Sequence, residues 1–356
     1  MKLHLLGGLA PRDFLRRYWQ KRPLFVRRAL PGFSGVAGES MLRALARRDD
    51  VESRMVRRRA TKWDTEHGPF KSAAISKANC TILVSGLNLH VPAADALLHR
   101  FDFIPLARLD DVMASYATPG GGVGPHTDSY DVFLLQGPGR RRWRVWFRGR
   151  VLEYLAGPGD LLYLPPGLKH DGVALDPCYT YSIGFRAPRG AELAAAFLDW
   201  LHERGLRDSR YRDPRLRPTR TPAALPPEML AFARKSVDAI SWTDVDVADF
   251  LGRHLTEPKA HVVFRRSRSR LALAKARLRL DPKTQLLYSG SAFFLNGERV
   301  DVPPAARPAL RALADGRSLE GRRLAREPLA GLISGWLRAG YAHLERLRAT
   351  PPNMRG

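Results

Sequence analysis

His126-Thr127-Asp128 and Pro158-Gly159-Asp160-Leu161-Leu162-Tyr163-Leu164-Pro165-Pro166-Gly167-Leu168-Lys169-His170 are the most informative stretches of this 356-residue chain. Together they offer two imidazoles and one carboxylate. Tyr130-Asp131-Val132-Phe133-Leu134-Leu135-Gln136, just after the first stretch, reads as a strand of aromatic and aliphatic residues. Side chains at i and i+2 of extended chain point the same way, so His126 and Asp128 can reach one ion. Asp160 to Leu164 reads as a second apolar strand, ended by the Pro165-Pro166-Gly167 turn, with His170 following. A lone histidine is more often a hydrogen-bonded core or surface imidazole. Three such groups gathered at strand ends are poorly explained that way.

Two imidazoles and a carboxylate on one face of a metal leave the opposite positions open, which is the donor set of non-haem Fe(II) oxygenases. An H-x-D alone is weak, because chance produces it often; the second stretch makes the pair specific. Pro119-Gly120-Gly121-Gly122-Val123-Gly124-Pro125 holds too many glycines and prolines for a helix or a central strand. It predicts a tight loop at a barrel mouth. A phosphate cradle would need a helix N-terminus or a Lys-Ser/Thr signature next, and a strand follows instead.

The run SYATPGGGVGPHTDSYDVFLLQG, Ser115 to Gly137, continues into Gly139-Arg140-Arg141-Arg142-Trp143-Arg144-Val145. It resembles the bacterial ribosomal oxygenases, JmjC-type cupin enzymes dependent on Fe(II), 2-oxoglutarate and dioxygen. The likeness extends to Trp19-Gln20-Lys21-Arg22-Pro23-Leu24, to His67-Gly68-Pro69-Phe70 and to Tyr181–Pro188, and in outline to the C-terminus. It implies a mainly β fold with α: a double-stranded β-helix (cupin/JmjC jelly-roll), a helical dimerisation segment and a winged-helix-like C-terminal domain. It also implies hydroxylation of an arginine of a large-subunit ribosomal protein, the sixteenth in the usual naming.

Carried over by residue, His126, Asp128 and His170 match the family's iron ligands. The basic residue that pairs with the distal carboxylate of 2-oxoglutarate falls on Arg141, and Thr118 is a further co-substrate contact. A guanidinium fork suits a carboxylate bidentately. A solvated basic strand end is the alternative for Arg141. Alternation favours the clamp, because Arg141 shares a face with Trp143 and Val145 while Arg140, Arg142 and Arg144 share the other. An arginine substrate calls for an acidic or aromatic mouth. Tyr130 and Asp131 are the candidates, though Tyr130 reads equally as core.

The expected divisions are a catalytic domain over 1–189, a helical segment over 190–257 and a winged-helix-like unit over 258–356. Helices are expected at Pro11–Gln20, Gly38–Arg48, Ala93–Arg100, Glu192–Arg204, Glu228–Ser241 and Thr243–His254, with extended, proline-bearing chain over 211–227. Strands are expected at Pro23–Arg28, Val51–Arg57, Cys80–Leu87 and Tyr179–Phe185. Leu286–Ser289 and Ala292–Leu295 read as strands before an Asn296-Gly297 turn, a hairpin signal. Arg265, Arg266, Arg268, Arg270, Arg277 and Arg279 make this last unit basic.

Two features depart from the family pattern. Trp146 to Gly157 is short where these enzymes often carry an insert that shapes the substrate mouth. Lys and Arg number 59 against 35 Asp and Glu, a net charge of +24. That field opposes a basic protein substrate. It reflects either an arginine-rich composition or attraction to RNA phosphates. Only Cys80 and Cys178 occur, so no disulfide framework is implied and a cytoplasmic setting is expected. Met1–Gly8 lacks the apolar run of a signal peptide, and no membrane span is expected. Three readings stay open: hydroxylation of a ribosomal arginine, the same chemistry on tRNA or a small molecule, and a non-catalytic metal-binding cupin.

Overall fold

Aliphatic and aromatic residues that cover one or both faces give the first half of the chain its strands. The computed structural model describes residues 4–266, 269, 271–325 and 329–347, so Arg268 and Arg270 lie outside the described residues. The strands are β1 Leu24–Val26, β2 Ser53–Arg59, β3 Lys62–His67, β4 Cys80–Val84, β5 Leu109–Ala117 and β6 Val132–Gln136. They continue as β7 Arg141–Phe147, β8 Arg150–Ala156, β9 Leu161–Leu164, β10 His170–Ala174 and β11 Cys178–Phe185. They build an eight-stranded antiparallel sheet ordered β1-β9-β6-β11-β5-β4-β2-β3 and a three-stranded sheet ordered β10-β7-β8. The two face each other as the jelly-roll that the sequence implied.

Strand β6 is buried along its whole length. Phe133 and Leu135 join Phe14, Tyr163 and Phe185 in the larger core. Val132 and Leu134 meet Trp143, Val145, Leu162 and Leu164 between the two sheets. Each large side chain buried there contributes about 1.5–3 kcal/mol. Helices α1 Pro11–Arg17, α2 Glu39–Leu45 and α3 Pro92–Leu98 add Phe14, Leu42 and Leu97 to the larger core. Helix α1 stops short of Gln20, which takes φ 56° and cannot continue it.

Helices α4 Gly190–Glu203, α5 Pro227–Asp238 and α6 Asp244–Thr256 follow, and the proline-bearing chain before α5 is neither helix nor strand. Thr243 and Asp246 close a reciprocal capping box on α6. The last unit holds β12 Ala276–Leu280, β13 Leu286–Ser289, β14 Ala292–Leu295, β15 Glu298–Val300, α7 Arg307–Gly316, β16 Ser318–Glu320, α8 Leu329–Ala339 and β17 Ala342–Arg346. Asn296 and Gly297, at φ 50° and 90°, turn β14 into β15 rather than β13 into β14. Lys259 Nζ lies 3.0 Å from Asp110 on β5, and Arg186 donates to the Leu255 carbonyl at 2.6 Å, joining α6 and its exit to the barrel. No helix among the described residues is long and apolar enough to cross a membrane.

Candidate metal centre and co-substrate pocket

Extended chain at His126-Thr127-Asp128 meets the first residue of β10. The His126 N–H donates to the His170 carbonyl at 3.0 Å and the His170 N–H returns the bond at 2.9 Å. Asp128 Oδ1 is 3.8 Å from His126 Nε2, and Oδ2 is 3.7 Å from His170 Nε2. One donor atom from each residue lies within 4.8 Å of the others. His126 Nδ1 is 2.9 Å from the Gly124 carbonyl and His170 Nδ1 is 2.9 Å from that of Leu168. A carbonyl only accepts, so each Nδ1 carries the proton and each Nε2 lone pair is left for the shared point. Burial pushes the His170 pKa below its ordinary value, favouring the neutral form that ligation requires.

The glycine run sets these positions. The Gly120 N–H donates to the Ala174 carbonyl and the Ala174 N–H to that of Gly121, both at 2.9 Å, laying the loop along β10. Gly124 sits at φ +82°, and a Cβ there would stand 2.8 Å from the Trp63 ring. Only glycine takes this turn without strain while Trp63 closes over it.

Arg141 points between the sheets. It is 4% exposed, and its strand neighbours are the small residues Ala156 and Ala174. Its Nε and Nη2 have no hydrogen-bond partner. A buried guanidinium with free donors is costly unless an anion completes it. Alternation placed it correctly: Arg140 and Arg142 are exposed, and Trp143 and Val145 are buried with it. A carboxylate-bearing co-substrate therefore fits the residues present. Thr118 is also buried, with its hydroxyl 3.2 Å from both the N–H and the carbonyl of Cys80 on β4.

The two mouth candidates separate. Tyr130 is 39% exposed, and its phenol is pushed up to about 12, by burial first and then by the carboxylates of Asp128 and Asp111. Asp131 is corrected: it is fully buried, so it cannot line an exposed mouth. Its carboxylate accepts from Tyr163 at 2.6 Å, Gln20 at 3.0 Å and Arg108 at 3.4 Å. Asp111, which the sequence reading passed over, accepts from the Gly86 N–H at 2.7 Å, and burial raises its pKa. Its position in a strand lined with apolar residues hid it.

A JmjC domain family model matches residues 96–152 and 147–193, and a ROXA-like winged helix model matches 239–343. The chain is 34% identical over 375 residues to the ribosomal protein uL16 3-hydroxylase of Escherichia coli K12, covering 94% of this chain and 97% of that one. It is 37% identical over 208 residues to a probable ribosomal oxygenase of Haemophilus influenzae, covering 52% of each. Its fold is similar to that of YcfD, a ribosomal oxygenase from E. coli in complex with cobalt and 2-oxoglutarate. The TM-score is 0.81 at 32% identity, over 95% of this chain and 98% of that one. The histidine–aspartate–histidine cup, the buried arginine and these likenesses agree, and the chain belongs to the ribosomal oxygenase family of JmjC-domain proteins.

Proposed function

We propose that this protein is an Fe(II)- and 2-oxoglutarate-dependent oxygenase that hydroxylates an arginine side chain of the large-subunit ribosomal protein uL16. The unsatisfied Arg141 guanidinium carries the reading, because a plain metal-binding cupin has no use for a buried cation with free donors. When bound, Fe(II) and 2-oxoglutarate let one atom of dioxygen enter a substrate C–H bond while the other oxidises the oxoacid to succinate and carbon dioxide. His126, Asp128 and His170 would hold the metal, and Arg141 would take the distal carboxylate. Tyr130, 39% exposed, offers an aromatic approach for a guanidinium. The uL16 substrate comes from the E. coli relative's name, and arginine as acceptor rests on the family resemblance together with this mouth.

Incubation of purified enzyme with uL16, Fe(II) and 2-oxoglutarate, followed by peptide mass spectrometry, should show one added oxygen on an arginine. Oxidation of total tRNA with none of uL16 would replace this reading with the RNA alternative. Exposed Leu198, Leu230, Val237 and Trp242 on and beside α4 and α5 support a homodimer contact there, to be checked by light scattering. Cys80 and Cys178 are both buried free thiols, which suits a cytoplasmic protein.

A further inference from the structure

The outer face of the three-stranded sheet is basic and aromatic, and the metal centre makes no use of it. Inward Arg141, Trp143 and Val145 alternate along β7 with outward Arg142, Arg144 and Trp146. Trp146 is half-buried beside two cations, with the Arg144 guanidinium 5.7 Å and the Lys169 ammonium 5.0 Å from its ring centre. The turn into β8 adds Arg148, which lies 5.2 Å over Phe147, and Arg150, which pairs with Phe147 in register and so stands at the rim of this face rather than on it. The acidic groups nearby are few. Asp171 takes Arg144 at 2.6 Å, Asp176 takes Arg140 at 2.7 Å, and Glu153 lies across from Arg144 in register. Arg142, Arg148, Arg150 and Lys169 have no ion-pair partner among the described residues.

This face stands at the metal end of the barrel. The Trp146 N–H donates to the Lys169 carbonyl at 3.0 Å, Lys169 precedes His170, and the Gly167 N–H donates to the Asp128 carbonyl at 2.7 Å. Charge on an exposed sheet edge also guards against strand addition. That accounts for Arg150 on edge strand β8 but not for Arg142, Arg144 and Trp146, which stand on the central strand. Solubility alone gives no reason to hold an indole beside two cations on an outer face.

We propose that this face docks RNA, with phosphates on Arg142 and Lys169 and, at its rim, on Arg148 and Arg150, and a base stacked on Trp146. Charge complementarity selects the occupant. A protein of net charge +24 repels a basic ribosomal protein met alone, but is drawn to the same protein seated on its polyanionic RNA. The substrate form is then the RNA-bound protein, an extension that rests on the uL16 reading above.

Labelled oligouridylate titrated with the full-length protein across a KCl series, read by fluorescence anisotropy, tests the face. Binding should weaken steeply with salt. Arg142→Gln/Arg148→Gln/Arg150→Gln should lower the slope of log K against log salt by about 2, from about 0.7 per single-strand phosphate contact. Trp146→Ala should weaken binding roughly tenfold at unchanged slope. Arg265→Gln/Arg266→Gln/Arg338→Gln removes the same charge from the last unit and should keep the wild-type slope. Equal slope losses in the two triple variants, or none in the first, would overturn the proposal. So would oligoglutamate binding as tightly as oligouridylate and being lost in the same variant, which would assign the face to an acidic protein. With uL16, the first triple variant should match the wild type on free protein and fall behind on RNA-bound protein. Equal rates on both would overturn the claim about substrate form. Absence of any uL16 turnover by the wild type would defeat the substrate reading instead, while the salt slopes still decide the face.

Discussion

His126 and His170 are tied by a reciprocal pair of main-chain hydrogen bonds at 3.0 and 2.9 Å, so the backbones that carry the two imidazoles are held side by side. Asp128 is the only anion of the cup, and it spans both rings. Asp128→Ala should therefore abolish divalent-metal binding and 2-oxoglutarate turnover together, as measured by Co(II) calorimetry and succinate release. Near-normal turnover would remove the triad assignment.

Arg141→Ala should raise the KM for 2-oxoglutarate by roughly thirtyfold to a hundredfold, about 2–3 kcal/mol for a charge-assisted contact in a dry site. Saturating 2-oxoglutarate should raise the wild-type Tm but not that of the variant. Arg140→Ala loses only an exposed pair with Asp176 and should change neither. Equal effects from the two variants would mean that β7 faces the other way.

Asp131→Ala should destabilise the fold by about 3 kcal/mol or more, since it strands the Tyr163 hydroxyl and the Gln20 amide and leaves Arg108 without its buried anion. Denaturant midpoints would show this, with the KM for 2-oxoglutarate unchanged. A raised KM without loss of stability would return Asp131 to the mouth.

Gly124→Ala combines a left-handed backbone with a Cβ 2.8 Å from Trp63, whereas Gly149→Ala at φ +73° meets nothing within 4 Å. The first should cost about 2 kcal/mol or more and the second about 1 kcal/mol. Only the first should weaken metal binding, because the Gly124 carbonyl orients His126. Comparable metal affinity in both variants would show that the loop does not position the ligand.

The cup was legible because an H-x-D on extended chain fixes two directions at once, and the proline turn after β9 delivers His170. Arg141 was legible because β7 has one covered face, so alternation carries information. Asp131 was misplaced for the opposite reason: it opens onto β6, which is covered on both faces, so no polar-out position exists there for a pattern to reveal. Strands β12, β16 and β17 went unread because arginines, glutamates and a histidine occupy their exposed faces, and pairing between distant segments rather than local pattern defines them. Charge was legible only as a sum. The cations around Trp146 that have no ion-pair partner among the described residues became visible once β7, β8 and the chain before β10 were folded together.

Chain order gives the metal cup a timetable. His126 and Asp128 are synthesised before β7, β8 and β10, yet their rung lacks its second half until His170 has emerged, and the glycine run has no strand to lie along until Ala174 has. A nascent chain thus carries an incomplete pair of donors and gains its three-donor cup only when β10 has joined. The third donor therefore arrives late in the barrel, with only β11 still to follow, and a chain halted within β9 would hold most of the larger sheet's residues with no centre at all.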